Sequence, residues 1–233
     1  MGKNLLSIDW DYFVPIKKEW YGSYSENQWN VNKLWYRRYI KEQMRGEDIT
    51  RTIDVGVEYV GFWKRIRSRF RISDTARVYI SDSHKYSYGI ARENACDAVY
   101  LFDAHADLGY GGIGSLDFEL NCANWLGKLF KNNHIREASV IYSPYTFECP
   151  EDFIEINNAY NINYCELERL PEGIPVDVIH ICRSGAWTPP WLDHKFLQFV
   201  YRLNRPVKWL DCPPRRWNAG KLTLSAQLNY LLY

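Results

Sequence analysis

The chain has 233 residues, 46% of them hydrophobic and 24% charged, with a formal net charge of +1. That length is enough for one large domain with a substantial core, and the charge balance offers no global attraction for nucleic acid or for an anionic membrane surface. No run of about 18 apolar residues and no signal-peptide apolar segment is present, so the expected setting is the cytoplasm and no membrane partner is expected.

Six cysteines are scattered without a CxxC pair, which argues against a disulfide framework and against a cysteine zinc site. Cys165 and Cys182 fall in or near apolar runs and are expected to be buried thiols. Aromatic residues make up 16% of the chain; beyond core packing, this suggests either an aromatic-lined groove or a subunit interface, the second of which would make a homo-oligomer.

In chain order, residues 5–8 read as a buried strand that runs into Asp9 and Asp11. Residues 25–45 read as a helix capped by Ser25 and ended by Gly46, with Trp29, Leu34, Ile40 and Met44 as its apolar stripe and Lys33, Arg37, Arg38 and Lys41 solvated. Residues 55–71 read as a second helix with a basic C-terminal end. Residues 77–81 form a strand followed by Asp82 and His84, and residues 87–95 a short helix. Residues 99–102 form another strand, followed by Asp103, His105 and Asp107. The glycine-rich stretch 109–114 lacks the spacing and the lysine of a phosphate loop and reads as a mobile segment. Residues 118–132 read as helical, 139–142 as a strand, 151–160 as a helix and 176–182 as a strand. A proline-started helix then runs to about residue 203, and a short strand at 207–210 and a helix at 222–232 close the chain. Strands alternating with helices over residues 1–233, without repeat or linker, predict a single α/β domain. Its sheet is mainly parallel and covered on both faces, a three-layer α/β/α architecture.

Ligands of such sheets gather beyond the carboxyl ends of the strands, and the polar clusters lie there. Asp103, His105 and Asp107 alternate, so on an extended backbone they share one side. Two carboxylates and an imidazole crowded together need a compensating cation, and a divalent metal is the usual one. Adding Asp9, Asp11 and His84 gives four carboxylates and two imidazoles, a set that balances two divalent cations. Oxygen-rich ligation with one imidazole per metal suits Mn²⁺ better than zinc, with zinc or iron as the alternatives.

Asp-Ala-His-Ala-Asp at 103–107 resembles the DAHxD signature of the ureohydrolases, the arginase and agmatinase superfamily. Ser7-Ile-Asp-Trp-Asp11 resembles the SxDxD motif of that superfamily, and Ser81-Asp-Ser-His84 its GGDH segment, with both glycines missing. The motif order is permuted, since SxDxD usually lies downstream. This order, the chain size, and the segments 121–126 and 184–189 resemble one branch, the peptide arginases, which convert arginine to ornithine within ribosomally made peptides. The resemblance implies an arginase/deacetylase-like fold and two Mn²⁺ per chain. One metal would take His84, Asp103, Asp107 and Asp9, and the other His105, Asp103, Asp9 and Asp11. The implied reaction is attack of a metal-bridging hydroxide on the guanidinium carbon, giving ornithine and urea, and the implied partner is an arginine-containing peptide with a leader region. Asp107, Asp103, His105 and Asn121 are the expected catalytic residues. Trp10, Gly109, Asn124, Ser184 and Trp187 are the expected substrate contacts. Gly109 stands where ordinary arginases carry an Asn that holds the free amino acid, which leaves room for a peptide backbone. Glu58, Asp117, Glu119 and Asp193 are candidate acceptors for the guanidinium. Three other readings compete: a hydrolase of a small guanidino compound, a one-zinc deacetylase-like amidohydrolase, and a metal-stabilised peptide-binding protein without catalysis.

Overall fold

The structure, a computed structural model, describes residues 2–22 and 31–232. Seven parallel strands form one sheet: β1 (Lys3–Asp9), β2 (Phe70–Ser81), β3 (Cys96–Asp103), β4 (Glu137–Tyr142), β5 (Asn161–Tyr164), β6 (Ile174–Cys182) and β7 (Lys208–Asp211). Their spatial order is β5-β4-β3-β1-β6-β2-β7. β1 therefore sits at the centre, paired with β3 on one side and β6 on the other. Side chains alternate across each strand. Leu5 packs on one face with Val99, Leu101, Trp125, Leu126 and Leu129. Leu6 and Ile8 pack on the other with Ile66, Phe196, Phe199 and Val200. Helices cover both faces, so the architecture is three-layer α/β/α. No helix among the described residues is long and apolar enough to cross a membrane.

Several expectations are corrected by local chemistry. The stretch 55–71 is not one helix. Gly61, at φ +72°, breaks it into a short 3-10 turn, Val57–Tyr59, and the helix Phe62–Arg69, and Phe70 already pairs with Ile174 as the start of β2. The helix expected over 118–132 spans only Trp125–Lys131. Ahead of it, the Asn124 amide accepts from the Asn121 N–H and donates to the Glu119 carbonyl, and the Asn121 amide accepts from the Ala123 N–H, so side chains satisfy the backbone outside a helix. The short strand β5 and the helix Ile49–Thr52, capped by Asp48, are additional elements.

The described part of the first long helix is Val31–Met44; the expected Ser25 cap and Trp29 lie outside the described residues. Met44 is exposed, and the buried side is Val31, Trp35, Tyr36, Arg38 and Ile40. Arg38 is thus not on a solvated face. Its guanidinium lies over the Trp20 and Trp35 rings and donates to the Ala186 carbonyl at 2.6 Å. None of the six cysteines is in a disulfide; Cys182 is buried and Cys165 half-buried.

Candidate metal centre

Three strand ends and the turns that follow them bring six ionisable side chains together. β1 ends at Asp9, whose carboxylate accepts the Asp11 N–H at 3.1 Å and so caps a 3-10 turn, Trp10–Phe13. This turn, rather than an extended backbone, carries Asp11 back over the sheet, where its Oδ1 accepts the Ala104 N–H at 3.2 Å. Asp103 ends β3 in the same manner and accepts the His105 N–H at 2.8 Å. Asp107 stands at φ +52°, a left-handed conformation that Asp tolerates better than most residues. Its carbonyl accepts the Leu126 N–H at 3.1 Å, and its carboxylate accepts the Trp125 indole N–H at 2.6 Å. His84 arrives from the turn after β2. The alternating spacing seen in the sequence therefore converges through turning backbone.

The result is two groups that share Asp103. Asp9, His84 and Asp103 present ligand atoms within 4.8 Å of one another, and so do Asp11, Asp103 and His105. The Nδ1 of His84 lies 3.1 Å from Asp9 Oδ2, 2.9 Å from Asp103 Oδ2 and 2.9 Å from Asp107 Oδ2. None of these approaches has hydrogen-bond geometry: His84 Nδ1 and Asp103 Oδ2 are buried polar atoms without a hydrogen-bond partner. His105 Nδ1 lies 3.0 Å from Asp11 Oδ2. Burial, reinforced by the charge of Asp11, pushes the Asp9 carboxyl up to about 6. Burial, together with the charges of Asp11, Asp107 and Asp9, holds Asp103 well above the usual carboxylate range. Burial opposes a charge on His84, but the surrounding carboxylates outweigh it and hold its imidazole well above the usual histidine range. Orphaned buried donor atoms and mutually repelling carboxylates fit a pair of divalent cations, which would supply the missing ligand bonds and the missing charge.

A cavity of about 60 Å³ opens onto this cluster, lined by Asp9, Asp11, His84, His105 and Asp107 and by Tyr21, Tyr110, Cys122, Glu148, Ser184 and Trp187. At about 10–15 Å³ per water position, it has room for the end of one side chain. Tyr21 stacks on His105 with ring centroids 4.2 Å apart, and the Trp187 indole N–H donates to the Tyr21 carbonyl at 2.9 Å. Ser184, at φ +51°, donates its hydroxyl to Asp9 Oδ2.

Other expected site residues lie elsewhere. Trp10 is 1% exposed and packs among Phe13, Tyr59, Phe196 and Phe199, so it belongs to the core. Asn124 is buried and holds its own loop. Asn121 is exposed beside a shallow depression outside the metal-facing cavity. Gly109 borders the same depression, at φ +90°, where a Cβ would come within 2.6 Å of Ser115 Oγ and 2.9 Å of Leu116 Cδ2. Glycine there answers a backbone and packing demand. Asp82 is engaged by the Arg183 guanidinium at 2.7 Å. Of the candidate guanidinium acceptors, Glu58 accepts from Tyr145, Asp117 pairs with Lys131, and Asp193 pairs with Arg183 and Arg215. Neither these three nor Glu119 lines the cavity.

The cavity carboxylate absent from the sequence expectations is Glu148, in the loop after β4. It accepts the Ala106 N–H at 2.8 Å and the Tyr110 hydroxyl, and burial raises its carboxyl above the usual range. Its signal in the sequence is positional: it follows the carboxyl end of a parallel strand, as do Asp9, His84 and Asp103. Comparison of the chain with protein-family models, with curated proteins and with solved structures gives no significant match.

Proposed function

We propose that this chain is a two-metal hydrolase of the ureohydrolase type that acts on arginine residues within a peptide and yields ornithine and urea. The observation that carries the reading is Glu148. It is a largely buried carboxylate that lines the same cavity as Asp9, Asp11, His84, His105 and Asp107, and no Lys or Arg among the described residues pairs with it. A guanidinium is a planar five-donor cation that matches such an acceptor.

Asp9, Asp11, His84, Asp103, His105 and Asp107 would hold two Mn²⁺ ions, and metals bound there supply an ionised water at neutral pH and neutralise the carboxylates. Glu148 binds the guanidinium and turns its carbon toward the cluster. Tyr21, Tyr110 and Trp187 wall the cavity and exclude bulk water. Asp107, fixed by the Trp125 indole, transfers a proton to the departing nitrogen, so that guanidinium and water become urea and an alkylammonium. A peptide substrate is favoured over free arginine because the described lining residues include no Lys or Arg to hold an α-carboxylate. A one-zinc site is disfavoured because it would leave the Asp11–Asp103–His105 group without a role.

The test is to load the protein with Mn²⁺, incubate it with arginyl peptides, including precursor-like peptides with leader regions, and follow mass. Loss of CH2N2 per arginine, slowed about 10–100-fold at subsaturating peptide by Glu148→Gln, is the expected result. Full metal occupancy with no such loss on any arginyl peptide would overturn the assignment.

A further inference from the structure

Behind the cluster, away from the cavity, runs a closed chain of buried hydrogen bonds. His84 Nε2 lies 2.7 Å from Ser7 Oγ, Ser7 Oγ 2.8 Å from Ser87 Oγ, and Ser87 Oγ 2.6 Å from His180 Nδ1. His180 Nε2 lies 2.8 Å from Ser81 Oγ, which donates to the Ser83 carbonyl at 2.8 Å. Ser7, Ser81, Ser87 and His180 are all fully buried.

The protons of this chain can be placed from its far end. The Ser83 carbonyl only accepts, so the single Ser81 hydroxyl proton is committed to it and Ser81 Oγ must accept from His180 Nε2–H. The ring nitrogens of His180 meet only hydroxyls, and the ring, which faces His84 at 5.8 Å between centroids, is neutral, since no carboxylate is at hand to balance a buried charge. Its Nδ1 is therefore an acceptor, and Ser87 donates to it. Ser87 must then accept from Ser7, and Ser7 from His84 Nε2–H. The proton of His84 is thereby held on Nε2, and Nδ1 is left as the ligating atom, facing Asp9, Asp103 and Asp107 at 2.9–3.1 Å.

We infer that the Ser7–Ser87–His180–Ser81 chain is a tautomer lock that presents His84 to a metal through Nδ1, with Ser7, Ser87, His180 and Ser81 as positioning residues. The inference rests on the reading of the cluster as a metal centre but not on arginine chemistry. Outer partners of metal-bound histidines act in this way generally, and their loss weakens metal affinity by about 10–100-fold.

Ser87 makes the sharpest test, because its side chain touches neither the cluster carboxylates nor His84's ring nitrogens, and its N–H bond to the His84 carbonyl at 3.0 Å is a backbone contact that substitution keeps. In Ser87→Ala the Ser7 hydroxyl loses its acceptor and turns to His84 Nε2, which favours the wrong tautomer. Zn²⁺ affinity, measured by competition with a chromophoric chelator, is expected to fall about tenfold and to recover in Ser87→Thr, which keeps the hydroxyl. If Ser87 served packing alone, the order would invert, because Thr overfills a fully buried site that Ala leaves nearly intact. Nitrogen-15 NMR of the Zn²⁺-loaded wild type should show His180 and His84 both protonated at Nε2. This measurement stands even if Ser87→Ala folds poorly. His180 protonated at Nδ1, or wild-type Zn²⁺ affinity in Ser87→Ala, would overturn the lock. Failure of the wild type to bind any divalent metal would instead overturn the metal centre, whatever the peptide assay shows.

Discussion

Replacing Asp9 by Asn should reverse its effect on stability according to whether metal is present. In the metal-free fold, burial and the neighbouring Asp11 charge raise the Asp9 carboxyl from 3.8 to about 6. That rise corresponds to ~3 kcal/mol by which the ionised group disfavours folding. The sign follows from linkage: the unfolded chain releases this proton near 3.8 and the folded chain only near 6. The penalty is therefore absent below 3.8, grows between the two values and is complete above 6. Asn removes it. The Asn oxygen still accepts from the Asp11 N–H, while the lost contact from Ser184 costs about 1 kcal/mol. The net expectation in chelator at pH 8 is a variant about 2 kcal/mol more stable than wild type, or roughly 4–8 °C in Tm for a chain of this size, with no gain at pH 3.5. With Mn²⁺ at a hundredfold its Kd, each wild-type site adds about 2.7 kcal/mol. The variant lacks a ligand to this cluster, so wild type becomes the more stable protein. Scanning calorimetry of both proteins, in chelator and in Mn²⁺, reads all four states. A variant less stable than wild type in chelator at pH 8, with equal Mn²⁺ shifts for both, would show that Asp9 is a structural hydrogen-bonding residue and would refute the reasoning.

Three further outcomes follow from the geometry. Glu148→Gln should leave two metals per chain by elemental analysis while raising KM for an arginyl peptide about 10–100-fold, the value of a charged hydrogen bond of about 1.5–3 kcal/mol; unchanged KM would remove Glu148 from the substrate site. Trp10→Ala should cost about 3–5 kcal/mol in denaturant unfolding, as expected for a large core aromatic, whereas a residue that only contacts substrate would unfold like wild type. Gly109→Ala forces a side chain onto a backbone at φ +90° and against Ser115 and Leu116. It should destabilise by about 1–3 kcal/mol, and a neutral result in thermal melts would contradict the tight packing.

The alternation of apolar runs with helical stretches was enough to read a parallel, doubly covered sheet, because burial on both faces produces continuous apolar strands. The same runs ended in Asp9, His84 and Asp103, so the approximate place of the cluster was legible too. Other features depended on contacts between residues far apart in the chain. Trp10 lies between two cluster carboxylates in sequence, yet the 3-10 turn sends its ring into the core while Asp11 swings over the sheet. Arg38 resembles a surface charge until Trp20, Trp35 and the Ala186 carbonyl enclose it.

By itself, then, the sequence determined the layered α/β class and the six ionisable residues at strand ends, since hydropathy period and residue chemistry are local properties. Only the tertiary structure decided which of these groups face one another, that Glu148 joins their cavity, and that Ser7, Ser87 and His180 connect behind His84. The physical reason is strand order. β1 lies between β3 and β6, so residues some 80 to 180 positions apart become hydrogen-bond neighbours, and no pattern along the chain encodes that adjacency.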